Sequence, residues 1–134
     1  MLGVRLLALY ASTPSEIETA FETLVREGAG GLVGGGEAFF FFQRDKIAAL
    51  AARYKVPAIG FPQSGLLMSY GANQADMTRQ GGVYAGRILK GANPADLPVV
   101  QATKMQLTIN MKTAKTLGIT FPTGLLVRAD EVIE

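Results

Sequence analysis

The chain of 134 residues has no cysteine and no histidine. The first absence removes disulfides and thiolate chemistry. The second, with it, removes imidazole acid–base catalysis and the usual zinc sites. No apolar run approaches the roughly 20 residues that span a bilayer as a helix. A basic run is missing too. The 13 Lys and Arg are offset by 11 Asp and Glu spread along the chain, so the pI near 9.0 reflects a net charge of only +2. No nucleic-acid partner is expected from that distribution. There is no internal repeat, and the one biased tract is the run of four phenylalanines at residues 39–42.

What is present describes a globular chain. Apolar residues make up 49% and charged residues 18%, which predicts one domain, residues 1–134, with a true core. The opening MLGVRLLALYAS bears a faint likeness to a signal peptide, but its apolar stretch is short and leads directly into a helix. It reads as a first strand over residues 4–10, so the chain as given carries no export signal.

Alternating elements follow. Thr13 and Glu16 form a capping box with Pro14 at the first helical position. Ile17, Ala20, Phe21, Leu24 and Val25 then share a stripe, and Gly28 ends the helix. GGLVGGG is a weak second strand. QRDKIAALAARYK is a second helix with Ile47, Leu50, Ala51 and Tyr54 on one face, and VPAIGF is a third strand. LLMSY is a fourth, turning into a long helix over residues 74–90, with Gly81, Tyr84, Ala85 and Ile88 on one face. ANPADLP opens a crossover and tail, residues 92–134, holding a strand KMQLTIN, a short helix MKTAKTLGI and one last apolar turn. The alternation predicts an α/β fold, a three-layer Rossmann-like parallel sheet with helices on both faces and right-handed crossovers. Ligands of such sheets sit beyond the carboxyl ends of the strands. The loops after Tyr10, Val33, Phe61 and Tyr70 are therefore the candidates.

The glycines 30, 31, 34, 35 and 36 match neither a dinucleotide fingerprint nor a P-loop, and bulky aromatics follow them. That leaves a mobile loop or a ligand-facing loop carrying Glu37 and Phe39. Four consecutive aromatics cannot all point inward from a regular element, so at least one should face a cleft, a partner or solvent. The corner Ser69-Tyr70-Gly71-Ala72-Asn73 joins a strand to a helix. Ser69 lacks the glycine frame of a nucleophile elbow and has no base. Tyr70 offers an amphipathic ring and Asn73 both a donor and an acceptor, beside a helix N-terminus that favours a carboxylate. The plainer alternative is that Asn73 only caps and Tyr70 only packs. Glu16, Glu18, Glu22 and Glu27 belong to a solvated helix face, Asp76 complements a helix dipole, and no acid pair stands out.

From residue 67 onward the motifs are specific. A Ser-Tyr-Gly-x-Asn corner is followed by Ile-Leu-Lys-Gly, Pro-Ala-Asp-Leu-Pro, Lys-x-x-Leu-x-Ile-Asn, Lys-Thr-Ala-Lys-x-Leu-Gly and the tail LLVRADEVIE. In this order they resemble the ABC-transporter substrate-binding proteins related to the tryptophan/tyrosine-binding type, over nearly the whole chain and more loosely over residues 1–60. The chain departs from them in the glycines at 81 and 82 and in GGG at 34–36. The resemblance implies one lobe of a type I periplasmic-binding fold, here the second lobe, that recognises a small organic solute, amino-acid-like, without catalysis or cofactor. It implies a permease as partner and a periplasmic location. Ser69, Tyr70 and Asn73 become the expected polar and stacking contacts, with Glu37 as charge partner for an amine and Phe39 and Phe61 as aromatic walls. A lobe without its mate would leave bare apolar surface. Self-association into a homo-oligomer is therefore expected, with exchange of the segment after Asp96. The alternatives are a truncated reading frame, a flavodoxin-like enzyme domain, or the sensing core of a repressor, which would need a helix-turn-helix upstream.

Overall fold

A computed structural model describes residues 3–61 and 64–134. The first helix, α1 (Pro14–Arg26), begins as its sequence requires. Glu16 N donates to Thr13 Oγ1, and the Glu16 carboxylate accepts from Thr13 N. It ends where Gly28 takes a left-handed φ of 67°, with Ala29 N donating to Leu24 O and Gly28 N to Val25 O. This double bond satisfies the last carbonyls of the helix. The helices α3 (Arg44–Arg53), α4 (Gln74–Leu89) and α5 (Met111–Leu117) end the same way, with Gly91 and Gly118 at the turn of the last two. In α3 the left-handed position falls on Lys55, the one non-glycine with positive φ among the described residues.

Between α1 and α3 lie the short strand β1 (Leu32–Val33) and the helix α2 (Ala38–Phe42), which takes up the phenylalanine run. Helical rotation separates the four rings. Phe39 and Phe40 pack on the core, Phe41 meets Phe61 edge-on at 5.9 Å, and Phe42 is exposed. The remaining elements are β2 (Ala58–Gly60), β3 (Met68–Ala72), a single 3-10 turn at Pro94–Asp96, β4 (Met105–Asn110), α6 (Thr123–Leu126) and β5 (Glu131–Ile133).

The strands form one sheet in the order β1-β2-β3-β4-β5, with helices on both sides. Three pairings are parallel. The fourth, β3 with β4, is antiparallel, with Ser69 opposite Thr108 and Tyr70 opposite Leu107. The expected α/β lobe is therefore present with one reversal. Its cause is the connection after α4, which delivers Lys104 beside the end of β3, where Asn73 N donates to Lys104 O at 2.9 Å. From there β4 can only run back along β3.

Ile17 and Phe21 of α1, Ile47, Leu50 and Ala51 of α3, and Ala58, Phe61 and Leu66 build one buried cluster. Each large apolar side chain in it contributes about 1.5–3 kcal/mol relative to exposure. A smaller centre sits at Ile109 and Ala114, both fully enclosed. Asp130 fastens the last strand, accepting from Leu107 N at 2.8 Å while its own N donates to Leu107 O.

The expected first strand is corrected. Residues 4–10 form no strand, and Val4, Leu6 and Tyr10 are 79%, 91% and 88% exposed. A strand exists through its neighbour's hydrogen bonds. Among the described residues no backbone hydrogen bond holds residues 3–11. Tyr10 thus ends no strand, and the loop expected there is only the lead into α1. The initial Met1 and Leu2 of the signal-like stretch lie outside the described residues, as do Pro62 and Gln63 of the loop after Phe61.

Candidate functional site

Because β1, β2 and β3 are parallel, their carboxyl ends share one edge of the sheet. That edge is where an α/β sheet meets its ligand. The chain leaves it through Gly34–Glu37, through Phe61, and through the corner at Asn73. The six expected residues do not converge on one pocket. They divide into an inner group and an outer group.

Phe39, Phe61 and Ser69 are the inner group. Phe61 belongs to the core cluster, with Phe39 packed against it. Ser69 is buried and lines a crevice with Phe61, Ser64, Thr108 and Asn110. The crevice holds about 10 Å³, room for about one water and no organic solute. Ser64 Oγ donates to Phe61 O at 2.6 Å. Thr108 Oγ1 donates to Glu131 Oε2 at 3.3 Å, and Asn110 Oδ1 caps α5 by accepting from Thr113 N at 3.0 Å. Ser64, Thr108 and Asn110 were not singled out as site residues from the sequence. Asn110 closes the Lys-x-x-Leu-x-Ile-Asn motif, and that was its only signal.

Tyr70, Asn73 and Glu37 are the outer group. Strand alternation turns Tyr70 to the face opposite Ser69, and its ring is 59% exposed. Asn73 accepts from Asp76 N at 2.9 Å through Oδ1 and donates Nδ2 to Gln106 Oε1 at 3.0 Å. It therefore caps α4 and also clasps the corner to β4. One lone pair on Oδ1 and one N–H on Nδ2 remain after those two bonds. Asp76, just inside α4, accepts from Arg79 at 2.8 Å and from Gln80 at 2.9 Å, and these bonds, Arg79 first, hold its carboxyl below the usual range. Glu37 is exposed at the N-terminus of α2 without making a side-chain cap bond, and its carboxylate folds over Gly35. Among the described residues no group of three or more Asp or Glu is placed to hold a metal ion.

The sheet edge is thus fringed by an exposed tyrosine, an amide with spare hydrogen-bonding capacity and the exposed Glu37 carboxylate. Comparison with known proteins gives the family. The family described as ABC transporter substrate binding protein matches residues 2–133, and the chain belongs to that family. It is a family of binding proteins rather than enzymes. Comparison with curated proteins gives no match. Among solved structures, a conserved domain protein from Vibrio cholerae is 25% identical with a TM-score of 0.81, over 91% of this chain and 42% of its own. The ABC domain in complex with L-Trp from Streptococcus pneumoniae is 26% identical with a TM-score of 0.80, over 90% and 42%. A ligand-free, open substrate-binding protein with adhesive properties from Clostridium difficile shares the fold, at 21% identity and a TM-score of 0.61, over 92% and 42%. The chain thus spans 42% of the length of each of these structures.

Proposed function

We propose that this chain supplies the second lobe of a solute receptor for an ABC import system, and that its solute is a small amino-acid-like molecule. The observation that carries the reading is the edge shared by β1, β2 and β3, with the Tyr70 ring 59% exposed beside it. The Streptococcus relative bound to L-Trp supports an aromatic amino acid as the solute class. In this reading Tyr70 stacks on the solute, and the spare N–H and lone pair of Asn73 meet its polar end. Glu37 faces its amine. Phe39 and Phe61 form the apolar backing of the rim, and buried Ser69 supports it from beneath without touching the solute. A permease takes the solute onward, and the protein works on the outer side of the cytoplasmic membrane. Among the described residues no helix is long and apolar enough to cross that membrane.

The test is a thermal-shift series with L-Trp, L-Tyr and L-Phe, with charged amino acids as controls. Binding to the native state raises the melting temperature by mass action. Tyr70→Ala should weaken the best ligand about tenfold, the scale of one aromatic contact, without lowering the melting temperature of the free protein. Equal affinity in wild type and Tyr70→Ala would remove Tyr70 from the site. No response to any aromatic amino acid would sink the solute class.

A further inference from the structure

The side-chain amide of Asn73 can face its neighbours in only one way. Asp76 N, 2.9 Å away, is a backbone donor and meets only an acceptor, so the atom beside it is Oδ1. Nδ2 is then the atom that reaches Gln106, at 3.0 Å. It too meets only an acceptor, so Gln106 presents Oε1 to it, and Gln106 Nε2 is left for other partners. One backbone N–H thus fixes the polarity of two side chains 33 residues apart. The β3–β4 ladder brings them into reach. Gln106 stands opposite Gly71, so strand alternation puts Gln106 and Asn73 on one face, and Gly71 brings no side chain to separate them. Asn73 N donates to Lys104 O at 2.9 Å, which holds the two segments together at this point.

The two amides keep a surplus of donors. One N–H of Asn73 and both of Gln106 Nε2 have no partner among the described residues. Against these three stand one further lone pair on Asn73 Oδ1 and one on Gln106 Oε1. The charges nearby lean the same way, since Arg79 and Lys104 both act on the single carboxylate of Asp76. Such surroundings favour a charged acceptor. We propose that Gln106 is a positioning residue for solute recognition: it holds the Asn73 amide with one N–H to spare, and the group of an amino acid that this N–H reads is the carboxylate. Gln106 works through Asn73. With both bonds in place the plane of the Asn73 amide is fixed. With only the bond from Asp76 N left, the amide can turn about that bond, and its spare N–H has no set direction. Gln106 takes this role only if the solute reading above holds.

Titration calorimetry on the chain as it stands tests this with two probes, L-Trp and tryptamine, which keeps the indole and the amine but has no carboxylate. The wild type should prefer L-Trp. Gln106→Met keeps the length of the side chain and removes the acceptor. It should weaken L-Trp about tenfold more than tryptamine, the scale of one hydrogen bond to a charged group. Asn73→Asp keeps the cap of α4 but puts a carboxylate oxygen where Nδ2 was, and should move the preference toward tryptamine. The Asn73 amide also gives a readout without solute. By NMR, its proton bonded to Gln106 should exchange with water more slowly than the other, and the difference should vanish in Gln106→Met. A Gln106→Met variant that weakens both probes alike, or neither, overturns the proposal. So does a wild type that binds L-Trp while its two Asn73 protons exchange equally, and in that case the solute reading stands. A wild type that binds neither probe overturns the solute reading and this role of Gln106 with it.

Discussion

Helices α1 and α4 start and stop by the same rules and end up in opposite environments. Each has a side-chain cap, an acidic residue in its first turn and a left-handed glycine past its end. The 13 residues of α1 bury Ile17, Phe21 and Leu24, whereas the 16 residues of α4 bury none. Its apolar Met77, Val83, Ile88 and Leu89 stay exposed, and Gly81, Gly82 and Gly86 bring no side chain to pack. Making a helix and seating it are therefore separate events. The first is settled within a few residues by caps and end motifs. The second needs a facing surface, and α1 finds one in α3 and the sheet. What holds α4 is local, namely its Asn73 cap, the Asp76–Arg79 pair, and the Tyr84 hydroxyl donating to Pro98 O at 2.6 Å.

The sharpest way to break this contrast is to cut one side chain on each helix. Phe21→Ala removes a ring stacked on Tyr54 at 6.1 Å within the core cluster, and should cost about 3–5 kcal/mol in chemical denaturation. Ile88→Ala, on a helix with no buried residue, should stay within about 1 kcal/mol of wild type, since the transfer and cavity terms scale with burial. Comparable losses would mean that α4 is seated after all. Next in size is Asn73→Ala, which deletes both the cap of α4 and the clasp to Gln106. About 1–2 kcal/mol is expected, the scale of a lost cap with one further hydrogen bond. Hydrogen exchange should rise first in the opening turn of α4.

A smaller change has the opposite sign. A Cβ built on Gly82 meets nothing within 4 Å, so Gly82→Ala should stabilise the chain by up to about 1 kcal/mol. The same substitution at Gly60 would bring a Cβ to 2.9 Å from Leu66 Cδ1 and force that side chain to shift. If Gly82→Ala instead destabilises, α4 has a close neighbour that the single chain does not show.

This separation also explains what the sequence could reveal. The Thr13–Glu16 box, the stop at Gly28 and the long helix from Gln74 were legible because each is decided within one or two turns. Residues 4–10 misled because an apolar run has strand propensity whether or not a neighbouring backbone is there to bond it. The reversal of β4 was hidden because strand direction depends on where a connection of some fifteen residues returns the chain. At the site, the Ser-Tyr-Gly-x-Asn corner was legible as a strand-to-helix turn. Its internal work was not. Gln106 and Thr108 reach Asn73 and Ser69 only through the β3–β4 register, far along the chain. The family motifs marked these stretches without distinguishing a residue that clasps from one that greets a solute.

The smallest expected effect separates the two regions by charge. Glu18 on α1 and Lys46 on α3 pair at 2.6 Å and join the two seated helices, whereas Asp76 and Arg79 pair within α4 alone. The Lys46 ammonium, by hydrogen bond and by charge, holds the Glu18 carboxyl below its ordinary range. A carboxyl with a lowered folded pKa binds fewer protons in the native state than in the unfolded state. Its contribution is therefore complete above the ordinary carboxylate range and fades as pH falls through the lowered folded value. Lys46→Met should accordingly unfold at slightly lower denaturant than wild type at neutral pH, and the gap should close as the solution is acidified. The Glu18 side chain is 56% exposed and that of Lys46 31%, so salt reaches and screens the pair, and the gap should also shrink in high salt. A gap that is unchanged by acid would mean that the lysine stem, packed across α1 and α3, matters more than its charge.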